Sequence, residues 1–385
     1  MRLTDFVART PTARLATPED NPRILAFFDR APMGASAFAV QYQRAPDFFH
    51  LLRWQSDRSH VFIGVDERGA VRSMATVSLR PGWVDGQPTT VGYLGDLRVG
   101  FDRASIGSWR RFYGDLLACA PEIEELADCT HWYTAVIDDN RLARLAIGHE
   151  RAGAPVHVPL AAFTMRNLVA RLPGFQPQLP RGWRVRSATT GDAARIDDFF
   201  EWENRALPLG FRAELGRRLA RWDGLSLGDF LIVEDGDELL ACAAPWSPAA
   251  AKRTVVSRLP VSLALAGRAA RIWPGRPPLR VPVAGEPLRM LYLTNLVFAA
   301  GLGDAARRLA ARALVDRVFD QWADSEWHCL ALCDFASWKL GRALRGYIQQ
   351  TVPITVYSVT PPGSSPNDHN SLRRGGVPGF EMAMV

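Results

Sequence analysis

Tyr93-Leu94-Gly95-Asp96-Leu97-Arg98-Val99 reads as a strand that runs into a small-residue turn and an Arg-rich helix, with Gly107 beyond it. Tyr292-Leu293-Thr294-Asn295-Leu296-Val297-Phe298 reads the same way, with Gly301-Leu302-Gly303 beyond it. Upstream, Ala16-Thr17-Pro18-Glu19-Asp20 opens a helical pattern ending near Arg30. Ala188-Thr189-Thr190-Gly191-Asp192 opens another, ending near Arg205, 172 residues further on. One unit is therefore written twice. A strand feeding a helix N-terminus is a place to hold phosphate, because the first-turn N–H groups have no partner inside the helix.

The elements between these landmarks recur in the same order. In the first copy, Pro18 to Ala31 predicts a helix with Thr17 as its cap, and Val61 to Val65 and Val71 to Leu79 predict strands around the turn Asp66-Glu67-Arg68-Gly69. Thr90 to Val99 is the long strand, Ser105 to Cys119 a helix, Trp132 to Ile137 a strand, Asn140 to Ile147 a helix, and Val156 to Met165 a strand. The second copy repeats this through Asp235-Gly236-Asp237, Met290 to Phe298, a helix over Asp304 to Trp322, a strand over Cys329 to Cys333, a helix over Phe335 to Leu344, and Thr351 to Val359. It carries 27 extra residues ahead of the long strand, an apolar and Pro-rich insertion near 258–287. As a structural piece it would cover one end of the second unit; as a functional one it would be a lid touching an acyl chain or a membrane surface.

The predicted architecture is α/β (α+β): a first unit over 12–170, a linker over 171–181 rich in Pro and Gly, a second unit over 182–360, and a polar tail over 361–385 expected to be mobile. With 385 residues, each unit can bury a core. The composition, 48% hydrophobic and 22% charged, is that of a folded chain.

Charge and cysteine usage narrow the class. The net charge of +6 is almost all arginine, since Lys252 and Lys339 are the only lysines, and it is spread rather than gathered into a run, so no nucleic-acid partner is expected. Five cysteines make no complete disulfide framework and read as reduced core thiols. No stretch is long and apolar enough for stable membrane insertion, and residues 1 to 21 carry charges throughout, so a cytoplasmic protein is expected. His131, His149 and His157 lack zinc-ligand spacing, and no metal is expected.

These residues resemble the GNAT superfamily of acyl-CoA-dependent N-acetyltransferases, in a tandem two-domain form. Leu94-Gly95-Asp96-Leu97-Arg98-Val99 looks like the family's fourth strand, Ile106-Gly107-Ser108 like the end of its pyrophosphate loop, and Val136-Ile137-Asp138-Asp139-Asn140 with Ala143 like its fifth strand and the opening of the next helix. The resemblance implies two tandem domains, each a mixed, mostly antiparallel sheet flanked by helices. It implies that the fourth and fifth strands splay apart, that the pantetheine arm of acetyl-CoA or another acyl-CoA pairs with the freed backbone, and that loop amides take the diphosphate.

By that resemblance Leu97, Arg98, Val99, Arg103, Ser105, Gly107, Ser108 and Asn140 are the candidate cosubstrate-binding residues, and Asp96 is the candidate base for transfer to a small-molecule or peptide amine. Three departures weigh the other way. The loop of the first copy opens on Asp102, with Arg103 displaced by one; the place of the family's acidic tyrosine holds Ile147; and Asn295, in the place of Asp96, cannot be a base. They define the alternative, a degenerate fold that senses a ligand or binds a partner without catalysis. Asp96 paired with Arg98 or another arginine is the structural alternative for that residue. The sequence leaves the oligomeric state open. A chain ending near Pro173 is expected to fold alone and still bind CoA.

Overall fold

The computed structural model describes every residue except 30–38, 101–102, 141–142, 145–146, 148–152, 176, 213, 262–264, 266–279, 323–325, 366–371 and 373–375. The first half carries β1 (Arg14–Leu15), β2 (Ala39–Gln43), β3 (Arg58–Val65), β4 (Val71–Val84), β5 (Gln87–Val99), β6 (Cys129–Ile137) and β7 (Val156–Arg171). Its helices are α1 (Leu3–Ala8), α2 (Asn21–Phe28), α3 (Phe49–Gln55) and α4 (Arg103–Cys119). The second half carries β8 (Trp183–Ser187), β9 (Gly210–Phe211), β10 (Leu231–Asp235), β11 (Glu238–Trp246), β12 (Arg253–Arg258), β13 (Met290–Phe298), β14 (Cys329–Phe335) and β15 (Tyr347–Thr360). Its helices are α5 (Ala193–Arg205), α6 (Leu215–Arg221) and α7 (Asp304–Trp322).

The repeated opening is a chemical device as well as a pattern. Arg14 holds both carboxylate oxygens of Asp20 at 2.7 and 2.6 Å, and Arg186 holds those of Asp192 at 2.7 and 2.8 Å. Each aspartate also accepts the N–H of the threonine three residues before it, so one carboxylate ties the first strand of the half to the start of its helix. The Arg14 guanidinium holds the Asp20 carboxyl down at about 2.

The sheet is continuous across the halves, in the order β1-β3-β4-β5-β6-β15-β7-β14-β13-β11-β10-β8, with β9 added beside β4. It is mixed and mostly antiparallel; β5 with β6 and β13 with β14 are its parallel pairs. The ends of the two halves are exchanged. β15, the last strand of the second half, lies between β6 and β7 and pairs with both, and β7 pairs with β14 on its other side. The units proposed at 12–170 and 182–360 thus divide the sequence while the sheet runs through both.

Helices cover the sheet with separate cores. Trp109, Phe112 and Leu116 of α4 pack on the first half, and Leu314, Val315 and Val318 of α7 on the second. A third core lies at the seam, where Trp54 of α3 meets Trp246 of β11 with ring centres 5.1 Å apart and Trp246 stacks on Trp222 at 4.8 Å. The seam is tied again by β2, which pairs with β12 in a two-stranded ribbon between the halves. The middle of the 258–287 insertion lies outside the described residues, but its return is attached to that ribbon through Gly285 N–H to Val256 O, 2.7 Å, and Leu288 N–H to Thr254 O, 2.6 Å.

Two expectations are corrected. The predicted helix over Phe335 to Leu344 is a turn followed by a single 3-10 turn, Leu340–Arg342. Asp334 captures it: its carboxylate accepts the N–H groups of Leu340 and Gly341 at 2.7 and 2.9 Å and pairs with Arg166 at 2.7 Å. The mobile tail is the second. Leu372, Met382, Ala383 and Met384 are buried, because the apolar run at the end of the chain joins the seam core.

The exchange also revises the isolated first half. Because β7 has no partner strand in its own half, a fragment of residues 1–173 should fail to give a monomer with a cooperative thermal transition. Coexpression with 174–385 should restore one. A monomeric fragment that melts cooperatively by calorimetry would show that the exchange is dispensable.

Candidate functional site

Each half carries the same irregularity at the same place. β4 and β5 pair regularly up to Thr76 opposite Gly95, then slip so that Met74 meets Arg98, leaving Asp96 and Leu97 against Ala75. β11 and β13 slip likewise between Ala244–Thr294 and Cys242–Val297. Asp96 and Asn295 both take the left-handed backbone, with φ of 49° and 53°. Such bulges bend a strand and re-aim its groups. Beyond the bulge the parallel neighbours part: β5 and β6 pair only as far as Tyr93 with Tyr133, and β13 and β14 only as far as Tyr292 with Ala331.

A side chain from outside the sheet holds each bulge. Arg44 Nη2 donates to both carboxylate oxygens of Asp96, at 3.1 and 3.3 Å, and Arg218 Nη1 donates to Asn295 Oδ1. Arg44 is buried, and its Nε and Nη1 have no partner among the described residues. The arginine-to-bulge contact is therefore built once with a carboxylate and once with an amide.

The two splays differ in what fills them. In the second half the end of the chain enters. Glu381 Oε2 accepts the bulge N–H of Asn295 at 2.9 Å, Glu381 Oε1 accepts Ala383 N–H at 3.3 Å, and the backbone of Met382 bonds Cys333 of β14. The second-half loop is also occupied by its own charges, since Asp304 at the start of α7 pairs with Arg307 at 3.1 Å. In the first half, Thr134 of β6 donates its hydroxyl to Leu94 O at 2.8 Å. A cavity of about 80 Å³ reaches Tyr93 and Tyr133, the last pair before that splay opens. Phe211, Arg218 and Trp222 of the second half form its opposite wall, and Glu381 closes it.

The sequence-predicted residues separate into three groups. Leu97 is exposed beside the splay, Val99 continues the strand, and Gly107 stands in the first turns of α4, where nothing lies within 4 Å of an added Cβ. Three others are engaged elsewhere. Arg98 donates to Phe28 O at 2.8 Å with its guanidinium 3.5 Å from the Phe28 ring centre, Ser108 shares a 2.5 Å hydrogen bond with Thr12, and Asn140 Oδ1 accepts Ala143 N–H at 3.1 Å. Ser105 is half-buried in the same helix. Arg103 begins α4, but its side chain, like Asp102 and His149, lies outside the described residues. Asp96 is within the bulge and outside the cavity lining.

Sequence reasoning missed Arg44, Arg218, Lys252 and Glu381. Lys252, one of the two lysines, is buried beside Arg44, over the rings of Tyr42 and Tyr292, and donates to Val385 O. Burial, with the neighbouring Arg44 charge, lowers its pKa to about 7. Burial raises the pKa of Glu381, against the opposing influence of its N–H donors, Arg218 and Lys252. Among the described residues no cluster of three or more His, Cys, Asp or Glu is placed to hold a metal, and no helix is long and apolar enough to cross a membrane.

No family model matches the chain, and no curated protein matches it by sequence. Solved structures do match by fold. Saccharomyces cerevisiae N-myristoyltransferase with bound myristoyl-CoA is 11% identical over 97% of this chain and 93% of its own, with a TM-score of 0.53. The GCN5-related glucosamine N-acetyltransferase region of a fungal multi-domain GH3 β-N-acetylglucosaminidase is 11% identical, with a TM-score of 0.57, over 90% of this chain and 38% of that longer one. The fold is similar to that of these structures, with one mixed sheet running through both halves of the chain.

The lysine makes a pH prediction. An unfolded Lys252 keeps its proton up to about 10.5, whereas the folded one releases it at about 7. The unfolded state therefore binds more protons between these limits, and raising the pH through them stabilises the fold. The stability advantage of Lys252→Met over the wild type should be largest at and below pH 7 and shrink toward pH 10 in urea titrations. An advantage independent of pH would show that Lys252 titrates normally.

Proposed function

We propose that this chain is an acyl-CoA-dependent N-acyltransferase, moving an acetyl or other acyl group from a CoA thioester to an amine, with the reaction in the first half and the acceptor in the cavity between the halves. The observation that carries this reading is the carboxylate oxygen of Glu381 resting 2.9 Å from the bulge N–H of Asn295. In one half, a bulge amide at the mouth of a splay binds an oxyanion that belongs to the chain itself. The matching bulge of the first half would present its amide to the thioester oxygen as that oxygen gains charge, and a preorganised donor lowers the barrier there.

The rest of the cosubstrate fits the same half. The pantetheine arm would lie along the backbone at Leu97 and Val99 as an added strand. The diphosphate would meet the first turns of α4, where Gly107 leaves room for close approach. The amine nitrogen attacks the thioester carbon, the C–N bond forms, and the C–S bond breaks with its electron pair leaving as CoA thiolate. The proton lost by the amine goes to a base.

For that base we propose Glu381, which lines the cavity and whose raised pKa favours proton uptake. Asp96, the candidate from the sequence, is given a different role. Because Asn295 occupies the same place against Arg218, we propose that the arginine pair holds the bulge and that Asp96 positions the amide rather than taking the proton.

Two sets of variants test this. By calorimetry, Gly107→Glu should abolish acetyl-CoA binding by placing a side chain and a negative charge at the diphosphate, and Gly303→Glu should leave it unchanged. The opposite pattern would move the site to the second half. In turnover, Glu381→Gln should cost about 10² to 10⁴ in rate, the usual range for a lost base. Asp96→Asn should stay within about tenfold of the wild type, and a loss of about a hundredfold at unchanged CoA affinity would return the base to Asp96. CoA binding without thiol release from any amine would assign the chain to the non-catalytic alternative.

A further inference from the structure

The cavity carries more positive charge than the chain neutralises. Five arginines, Arg80, Arg212, Arg217, Arg218 and Arg221, line it against two glutamates, Glu214 and Glu381. Arg217 binds both oxygens of Glu214, at 3.1 and 3.0 Å, and shares Asp57 with Arg221. Arg218 bonds the neutral Asn295 and feels the charge of Glu381. Among the described residues neither Arg80 nor Arg212 makes an ion pair.

Arg80 is the more telling of the two. It is only 8% exposed, and its Nη atoms reach carbonyl oxygens alone, those of Pro81, Leu209, Gly210 and Gly379, at 2.6 to 3.3 Å. Its Nε is buried with no partner. Taking a cation out of water is costly unless an opposite charge is brought to it. The guanidinium stands 5.7 Å from the ring centre of Tyr133 and 3.8 Å from that of Phe211, between the first-half splay and the far wall. Arg212 lies next along the chain from Phe211, with its guanidinium 5.6 Å from the Trp83 ring centre.

We propose that the acceptor is an amine bearing an oxyanion, a carboxylate or a phosphate, bound by the exposed guanidinium of Arg212 with the charge of Arg80 behind it, and with its nitrogen directed toward the first-half splay. This deepens the acyltransferase reading and rests on it. The planar fork of arginine suits either oxyanion. Because Arg80 is beside Tyr133, the last paired residue before the strands part, the spacer between nitrogen and anion is short.

The test measures thiol release from acetyl-CoA by the full chain with matched amines: β-alanine against β-alaninamide, and phosphoethanolamine against ethanolamine. The anionic member of at least one pair should be favoured about tenfold or more in kcat/KM, and the pair showing the larger preference distinguishes carboxylate from phosphate. Arg212→Gln should erase most of that preference. It is the chosen variant because Arg80 also ties down three segments, so Arg80→Gln risks unfolding. Equal kcat/KM within both pairs would overturn the proposal while leaving acyl transfer intact. If no amine is acylated, acyl transfer fails separately, and the anion site is read by titrating acetate and inorganic phosphate into the full chain without CoA. Saturable heat weakened about threefold or more by Arg212→Gln would support the site, and no saturable heat from either anion would overturn it.

Discussion

Everything in this molecule depends on the exchange of its last strands. A strand leaves a row of N–H and C=O groups on each side, and an unpaired edge invites pairing elsewhere. Here β6 of the first half and β14 of the second are each completed by the other half's final strand: β15 takes the free side of β6, and β7 that of β14. β7 and β15 then close on one another over nearly their whole length. The backbone is satisfied through the middle of a twelve-strand path, and the halves cannot separate without breaking five ladders, three made by β7 and β15 and one each by β2 with β12 and β4 with β9. Fixing the halves in this way fixes the cavity between them.

On that near-symmetric frame, the asymmetry comes from a few residues at the end of the chain. Both halves keep the bulge, the splay and the arginine that holds the bulge. The second half gives its splay to Phe380, Glu381 and the buried residues that follow, and its helix start to the Asp304–Arg307 pair. The first half opens onto the cavity through Tyr93 and Tyr133, whereas room around the loop glycine is common to both halves, at Gly107 and at Gly301 and Gly303. In our reading, a carboxylate that belongs to the chain holds the second site as an oxyanion would hold the first, and the two halves divide the labour between cosubstrate and acceptor.

The repeat, the order of elements and the fold class are legible in the sequence because they rest on local signals: the recurring Thr-x-x-Asp opening, the Asp66 and Asp235 turns and the long apolar strands. The exchange is not legible, since β7 and β15 have the same periodicity whichever half they pair with. The bulges hide behind Asp96 and Asn295, ordinary polar residues whose left-handed backbone leaves no spacing signal. The helix drawn over Phe335 to Leu344 fails because Asp334 binds two backbone N–H groups, a long-range contact with Arg166 fixing the same carboxylate. Glu381 lies in a segment whose Ser, Pro and Gly content reads as a tail, although its apolar end, Phe380-Glu381-Met382-Ala383-Met384-Val385, is a visible hint of burial. Arg44 and Arg218 have no sequence signature at all among so many arginines.

The central claim is that the first half holds the acyl-CoA while the end of the chain occupies the equivalent place in the second. Hydrogen exchange of the full chain, with and without saturating acetyl-CoA, tests it most directly because it reads both splays in one experiment. The account predicts new protection at residues 94–99 and 103–110, with the already bonded amide of Asn295 and its neighbours at 293–303 unchanged. Protection appearing at 293–303 with 94–110 unaffected would contradict it.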